Sequence, residues 1–150
     1  MNPPAVLVVE DGHEYITNLD RFLGRDFAFT RAGDGAEALA LLSSQAFEVA
    51  FLDMRFDRAP QLLGDLDELA DRFAGDRSRA RRFLEDNQGT YILAALRAAG
   101  HGLPVLFSYD FAGEPRRLKN LEARYAPVSY LSDAAGPAEI RQALLRLCGG

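Results

Sequence analysis

Tryptophan is absent from this chain of 150 residues, and it has one cysteine, Cys148, and one lysine, Lys119. A lone cysteine excludes an internal disulfide, and with only two histidines beside it a zinc-type ligand set cannot be assembled. No run approaches the roughly 20 apolar residues that span a bilayer, and the N-terminus lacks a basic-then-apolar secretion pattern. The expectation is a soluble protein of a reducing intracellular compartment with no membrane partner. Positive charge is also short. A net charge of −5 argues against nucleic acid as a partner, because such binding is dominated by phosphate neutralisation.

Several enzyme signatures are missing too. Where a Gly-rich phosphate loop would follow the first apolar run, Glu10-Asp11-Gly12-His13 stands instead. Asp53-Met54-Arg55-Phe56-Asp57 lacks the one-residue acid spacing of phosphoaspartate hydrolases, and no Ser/His/acid set is suggested locally.

What is present is a rhythm. Five apolar runs, 5–9, 27–31, 48–52, 103–108 and 127–131, read as buried strands. Helical patterns lie between and after them. At 13–24, Tyr15, Ile16, Leu19, Phe22 and Leu23 share a face. Further helices are expected at 35–45 after Gly33-Asp34-Gly35, at 90–99 before Gly100, from Pro115 to about Arg124, and from Pro137 onward. Alternating strands and helices, with the strands as continuous apolar runs, indicate an α/β fold. The simplest solution is a doubly wound, five-stranded parallel sheet in a single domain, residues 1–150.

One stretch breaks the rhythm. About 35 residues separate Asp53 from the helix at 90, far more than a usual βα connection. Leu62, Leu63, Leu66, Leu69, Ala70 and Phe73 form one amphipathic stripe, and residues 76–87 a weaker one, so a helical hairpin inserted at about 56–88 is expected. Its arginines 77, 79, 81 and 82 suggest phosphate binding. Within 55–88, however, seven arginines face eight acids, which favours a solvated, self-neutralising surface.

The first and third apolar runs end in carboxylates, Glu10-Asp11 and Asp53. A parallel sheet collects the carboxyl ends of its strands at one edge, so these three acids are expected in one corner. Mutual repulsion there is relieved by a hard, oxygen-seeking cation, above all Mg2+. The plain alternative is three solvated loop carboxylates.

Glu10-Asp11, Asp53, Ser108 and Tyr130, with the segments 32–39 and 103–108, resemble the receiver domain of bacterial two-component response regulators. The resemblance covers roughly residues 5–54 and 89–147 and implies strand order 2-1-3-4-5. It implies Asp53 as phosphoryl acceptor, with Mg2+ held by Asp11, Asp53 and the backbone carbonyl of Arg55 and Glu10 acting through water. Ser108 would bind a phosphoryl oxygen and Tyr130 would switch between rotamers. A sensor histidine kinase or phosphotransfer protein is implied upstream and a protein partner downstream, in a bacterial cytoplasm, with a homodimer left open. No enzymatic activity is implied beyond self-catalysed phosphoryl acceptance and hydrolysis.

The chain departs from that pattern. The lysine expected three residues beyond Tyr130 is Asp133, which would add repulsion of about 1–4 kcal/mol for a close pair. The small residue expected after Ser108 is Tyr109, and Phe56-Asp57 replaces the usual Met-Pro. Two readings follow. In the first, the chain is a stand-alone, Mg2+-dependent phosphoacceptor, since it ends soon after the last helix with no output domain expected. In the second, it is a phosphorylation-independent pseudo-receiver that binds a partner constitutively.

Overall fold

The computed structural model describes residues 2–149. Five parallel strands, β1 (Ala5–Val9), β2 (Ala28–Ala32), β3 (Val49–Asp53), β4 (Val105–Ser108) and β5 (Val128–Leu131), form one sheet in the order β2-β1-β3-β4-β5. Each lies within a residue or two of its expected position. The three central strands are buried on both faces, which is why they read as unbroken apolar runs.

Alternate residues feed two cores. On one face Val6, Val8, Phe51 and Leu106 pack with α1 (Glu14–Leu23) and α7 (Pro137–Cys148). On the other, Leu7, Val9, Leu52 and Phe107 pack with α2 (Gly35–Ser44), α5 (Gln88–Ala98) and α6 (Pro115–Tyr125). No helix among the described residues is long and apolar enough to cross a membrane.

Between β3 and α5 stand two short helices, α3 (Leu66–Arg72) and α4 (Arg77–Asp86), joined through Leu69, Ala70, Ala80 and Leu84. The first is shorter than its apolar stripe suggests. Gly64 sits at a left-handed φ of 116°, and the Asp65 carboxylate caps the helix by accepting the Glu68 N–H at 3.1 Å. Leu62 and Leu63 therefore lie in the preceding loop and pack on the sheet's core from there. That loop is pinned by Gln88, which is 1% exposed. Its amide accepts from the Leu63 N–H at 2.7 Å and donates to the Leu63 and Leu84 carbonyls at 3.0 and 3.3 Å.

Replacing Gln88 by the similarly sized Met strands the Leu63 N–H and C=O. The expected cost is about 1–3 kcal/mol in urea unfolding, with amide exchange accelerated selectively over residues 60–65. Unchanged exchange at Leu63 would show that the clamp does not hold the loop.

Candidate functional site

At the carboxyl edge of the sheet, Glu10 and Asp11 follow β1 while Asp53 and Ser108 end β3 and β4. Asp53 ends β3 and stands opposite Ser108 in the β3–β4 register. Its Oδ1 accepts the Met54 N–H at 2.8 Å. Burial raises its pKa from 3.8 to about 6; the charges of Asp11 and Glu10 push the same way, against hydrogen bonds from the Met54 and Arg55 backbone. Behind it, Gly89 donates its N–H to the Met54 carbonyl at 2.9 Å, and a Cβ there would lie 2.5 Å from the Asp53 carbonyl oxygen. The start of α5 is thus pressed directly against the backbone of Asp53 and Met54.

Glu10 faces elsewhere. Its two oxygens accept the N–H groups of Tyr15 and Ile16 at 3.1 and 2.7 Å, so this carboxylate, 2% exposed, caps α1. Burial pushes its pKa up and these two bonds pull it down. Asp11 is also engaged. Its side chain is 3% exposed, and its Oδ2 accepts the Arg58 N–H at 2.6 Å.

In donor type the corner fits a hard divalent cation: Asp11, Asp53 and the Arg55 carbonyl all offer oxygen. In arrangement, no group of three His, Cys, Asp or Glu side chains among the described residues is drawn together to hold an ion. The reason is visible in the hydrogen bonds: Glu10 is turned to α1, and Asp11 is shared with the β3–α3 loop.

The Ser108 side of the pocket differs from the sequence expectation in one respect. Tyr15, which the sequence places only on the apolar face of α1, brings its hydroxyl to 2.7 Å from Ser108 Oγ. Burial raises the phenol's pKa, the bond to Ser108 lowers it, and the charges of Asp53, Asp133 and Glu10 raise it further. Asp133 itself is exposed on the β5–α7 loop, so the anion that replaces the expected lysine acts on the pocket across Tyr15. Lys119 is exposed on α6.

Tyr109 turns toward α6, where its hydroxyl bonds the Glu114 carboxylate and its ring meets Phe111 at 4.8 Å. Phe111, 1% exposed, also meets Phe107 and Tyr130, each at 5.6 Å. Tyr130 is half-buried against it.

The arginines 77–82 do not reach the corner. Arg77 pairs with Asp67, Arg81 with Glu85, and Arg79 lies over Phe73. The arginine that does reach it is Arg58. Sequence spacing gave little sign of either newcomer: Tyr15 is 93 residues from Ser108, and Arg58 is 47 from Asp11. The usable signal was position alone, the first turn after β1 and the loop after β3.

With divalent cations removed, Asp53→Asn should stabilise the protein. The folded state holds a proton on Asp53 up to about pH 6, whereas the unfolded chain releases it near 3.8, so stability falls as pH rises between those values. The gap corresponds to at most about 3 kcal/mol. Urea unfolding in EDTA should show the variant about 1–3 kcal/mol more stable near pH 8, with the advantage vanishing near pH 4. A constant difference across that range would mean that Asp53 is not destabilised by burial.

No family model matches the chain, and no curated protein does. Solved structures do. A chain described as adenylate cyclase from Rhodopirellula baltica superposes with a TM-score of 0.69 at 18% identity, covering 99% of this chain and 89% of that one. The receiver domain of the Francisella response regulator 1452 gives 0.64 at 19% identity, covering 97% of each chain. The receiver domain of the sensor histidine kinase PA1611 from Pseudomonas aeruginosa, with a magnesium ion coordinated in its active site cleft, gives 0.66 at 20% identity. It covers 99% of this chain and 100% of that one. Coverage this complete, with the strand order β2-β1-β3-β4-β5, shows that the chain has the fold of response-regulator receiver domains.

Proposed function

We propose that the protein is a receiver-type signalling module that accepts a phosphoryl group on Asp53 and passes the signal to a protein partner. The observation that carries this reading is the register of Asp53 against Ser108 at the carboxyl edge, with Asp11 and Glu10 near enough for their charges to act on the Asp53 carboxyl. With a pKa of about 6, Asp53 is ionised at neutral pH and so able to attack.

An Asp53 oxygen would form a bond to phosphorus while the P–N bond of a donor phosphohistidine breaks. The leaving imidazole nitrogen keeps the electron pair and takes up a proton, and Asp53 becomes a mixed anhydride. Mg2+ bound by Asp11, Asp53 and the Arg55 carbonyl, with Glu10 acting through water, would neutralise charge on the phosphoryl oxygens. Ser108 would exchange its bond to Tyr15 for one to a phosphoryl oxygen. In this reading the donor is a sensor histidine kinase or phosphotransfer protein of a bacterial cytoplasm. The protein performs no catalysis beyond its own phosphorylation and dephosphorylation. A cavity of about 260 Å3, lined in part by Tyr15, Asp133, Ile140 and the largely exposed Phe22, lies on the Tyr15 side of the pocket.

A second reading, the pseudo-receiver, is favoured by specific contacts. Asp133, at the sequence position where the resemblance implies a lysine, sets a negative charge against Tyr15. The Tyr15 hydroxyl occupies Ser108. Buried Phe111 packs edge-to-face against Tyr130 at 5.6 Å. Each of these favours a surface that binds its partner in one state.

Beryllofluoride with Mg2+, followed by amide NMR, separates the two. The phosphoacceptor reading expects shifts at Asp53, Ser108, Tyr15 and Tyr130 that are absent in Asp53→Asn. A silent titration at millimolar Mg2+ rules it out and leaves the constitutive module.

A further inference from the structure

The acidic corner lacks the expected lysine, yet it holds a cation of its own. Arg58, in the loop between β3 and α3, meets Asp11 twice. Its backbone N–H donates to Oδ2 at 2.6 Å, and its guanidinium lies 3.5 Å from Oδ1 while donating to Glu14 at 2.9 Å. Both Asp11 oxygens therefore have partners from one residue. A Cβ on Gly12 would press on the Arg58 guanidinium and the Glu14 carboxylate, both of them ends of exposed, flexible side chains that would have to move aside. Arg31 fixes Gly12 from another side, donating to its carbonyl at 2.5 Å.

We propose that Arg58 is a tethered counter-ion that competes with a divalent cation for Asp11, and so sets how tightly this protein takes Mg2+. The proposal rests on the reading of Asp11 and Asp53 as a divalent-cation site. A carboxylate buried beside two like charges needs compensating charge, and guanidinium and dication compete to supply it. The arrangement allows exchange without unfolding the loop. The backbone on either side of Arg58 is anchored, with the Phe56 N–H on the Glu85 carbonyl at 2.9 Å and Leu63 clamped by Gln88. The Arg58 side chain, by contrast, is 57% exposed and can swing into solvent. An exposed ion pair is weak and screened by salt, so the competition is a modest one.

Isothermal titration with Mg2+ at low ionic strength tests this on the intact chain and two variants. R58Q removes the charge. G12A leaves Arg58 in place and evicts its guanidinium by contact. Both should bind Mg2+ about 3- to 10-fold more tightly than the wild type, with the advantage shrinking as salt is added. Binding by the variants alone would support the proposal most strongly, whereas a merely structural arginine would loosen the site when lost. Wild-type binding with equal or weaker binding by folded R58Q and G12A overturns the role of Arg58 and leaves the metal reading standing. No binding by any of the three overturns the metal reading and the competition together.

Discussion

A carboxylate at the edge of a parallel sheet sits where strands end, helices begin and water is scarce, and this protein places three there. Their ionised forms must be solvated by something other than bulk water, and the surrounding chain is arranged to do it. Glu10 is met by the first free N–H groups of α1, which fixes where that helix starts. Asp11 is met by the backbone of Arg58, which fixes the path of the loop after β3. Asp53 receives N–H groups from the residues that follow it, and the close approach of Gly89 holds that backbone in place. Burial holds the Asp53 carboxyl at about 6 in spite of these hydrogen bonds. An acid that retains its repulsion is one that gains most from an arriving positive charge.

Around that acid, the Tyr15 phenol holds Ser108 and feels the charge of Asp133, the residue at the sequence position where the resemblance to receivers implies a lysine. Phe111 is the hub on which Phe107, Tyr109 and Tyr130 each rest edge-to-face.

The fold was legible because buried parallel strands write themselves as unbroken apolar runs. Val6-Leu7-Val8-Val9 and Val49-Ala50-Phe51-Leu52 could be little else, and their terminal acids followed from topology. The start of α3 was not legible. Leu62 and Leu63 continue its apolar spacing, and only Gly64 and the Asp65 cap take them off the helix. The local pattern could not reveal that these leucines serve the main core. Tyr15 and Arg58 were illegible for a different reason. Each acts on a residue far along the chain, and a tyrosine on an apolar face or an arginine in a charged loop carries no mark of its partner. The acids were expected as a cluster of three, but how hydrogen bonds divide them among neighbouring elements is a property of three-dimensional placement.

The missing tryptophan has a practical consequence. The near-ultraviolet absorbance and emission of this chain come mainly from its five tyrosines. Tyr15 touches Ser108 beside Asp53, while Tyr109 and Tyr130 flank Phe111 on the neighbouring strand ends. Of these chromophores Tyr15 touches the acidic corner, with no indole signal to mask it. The protein carries a built-in optical probe of that corner, readable without a label.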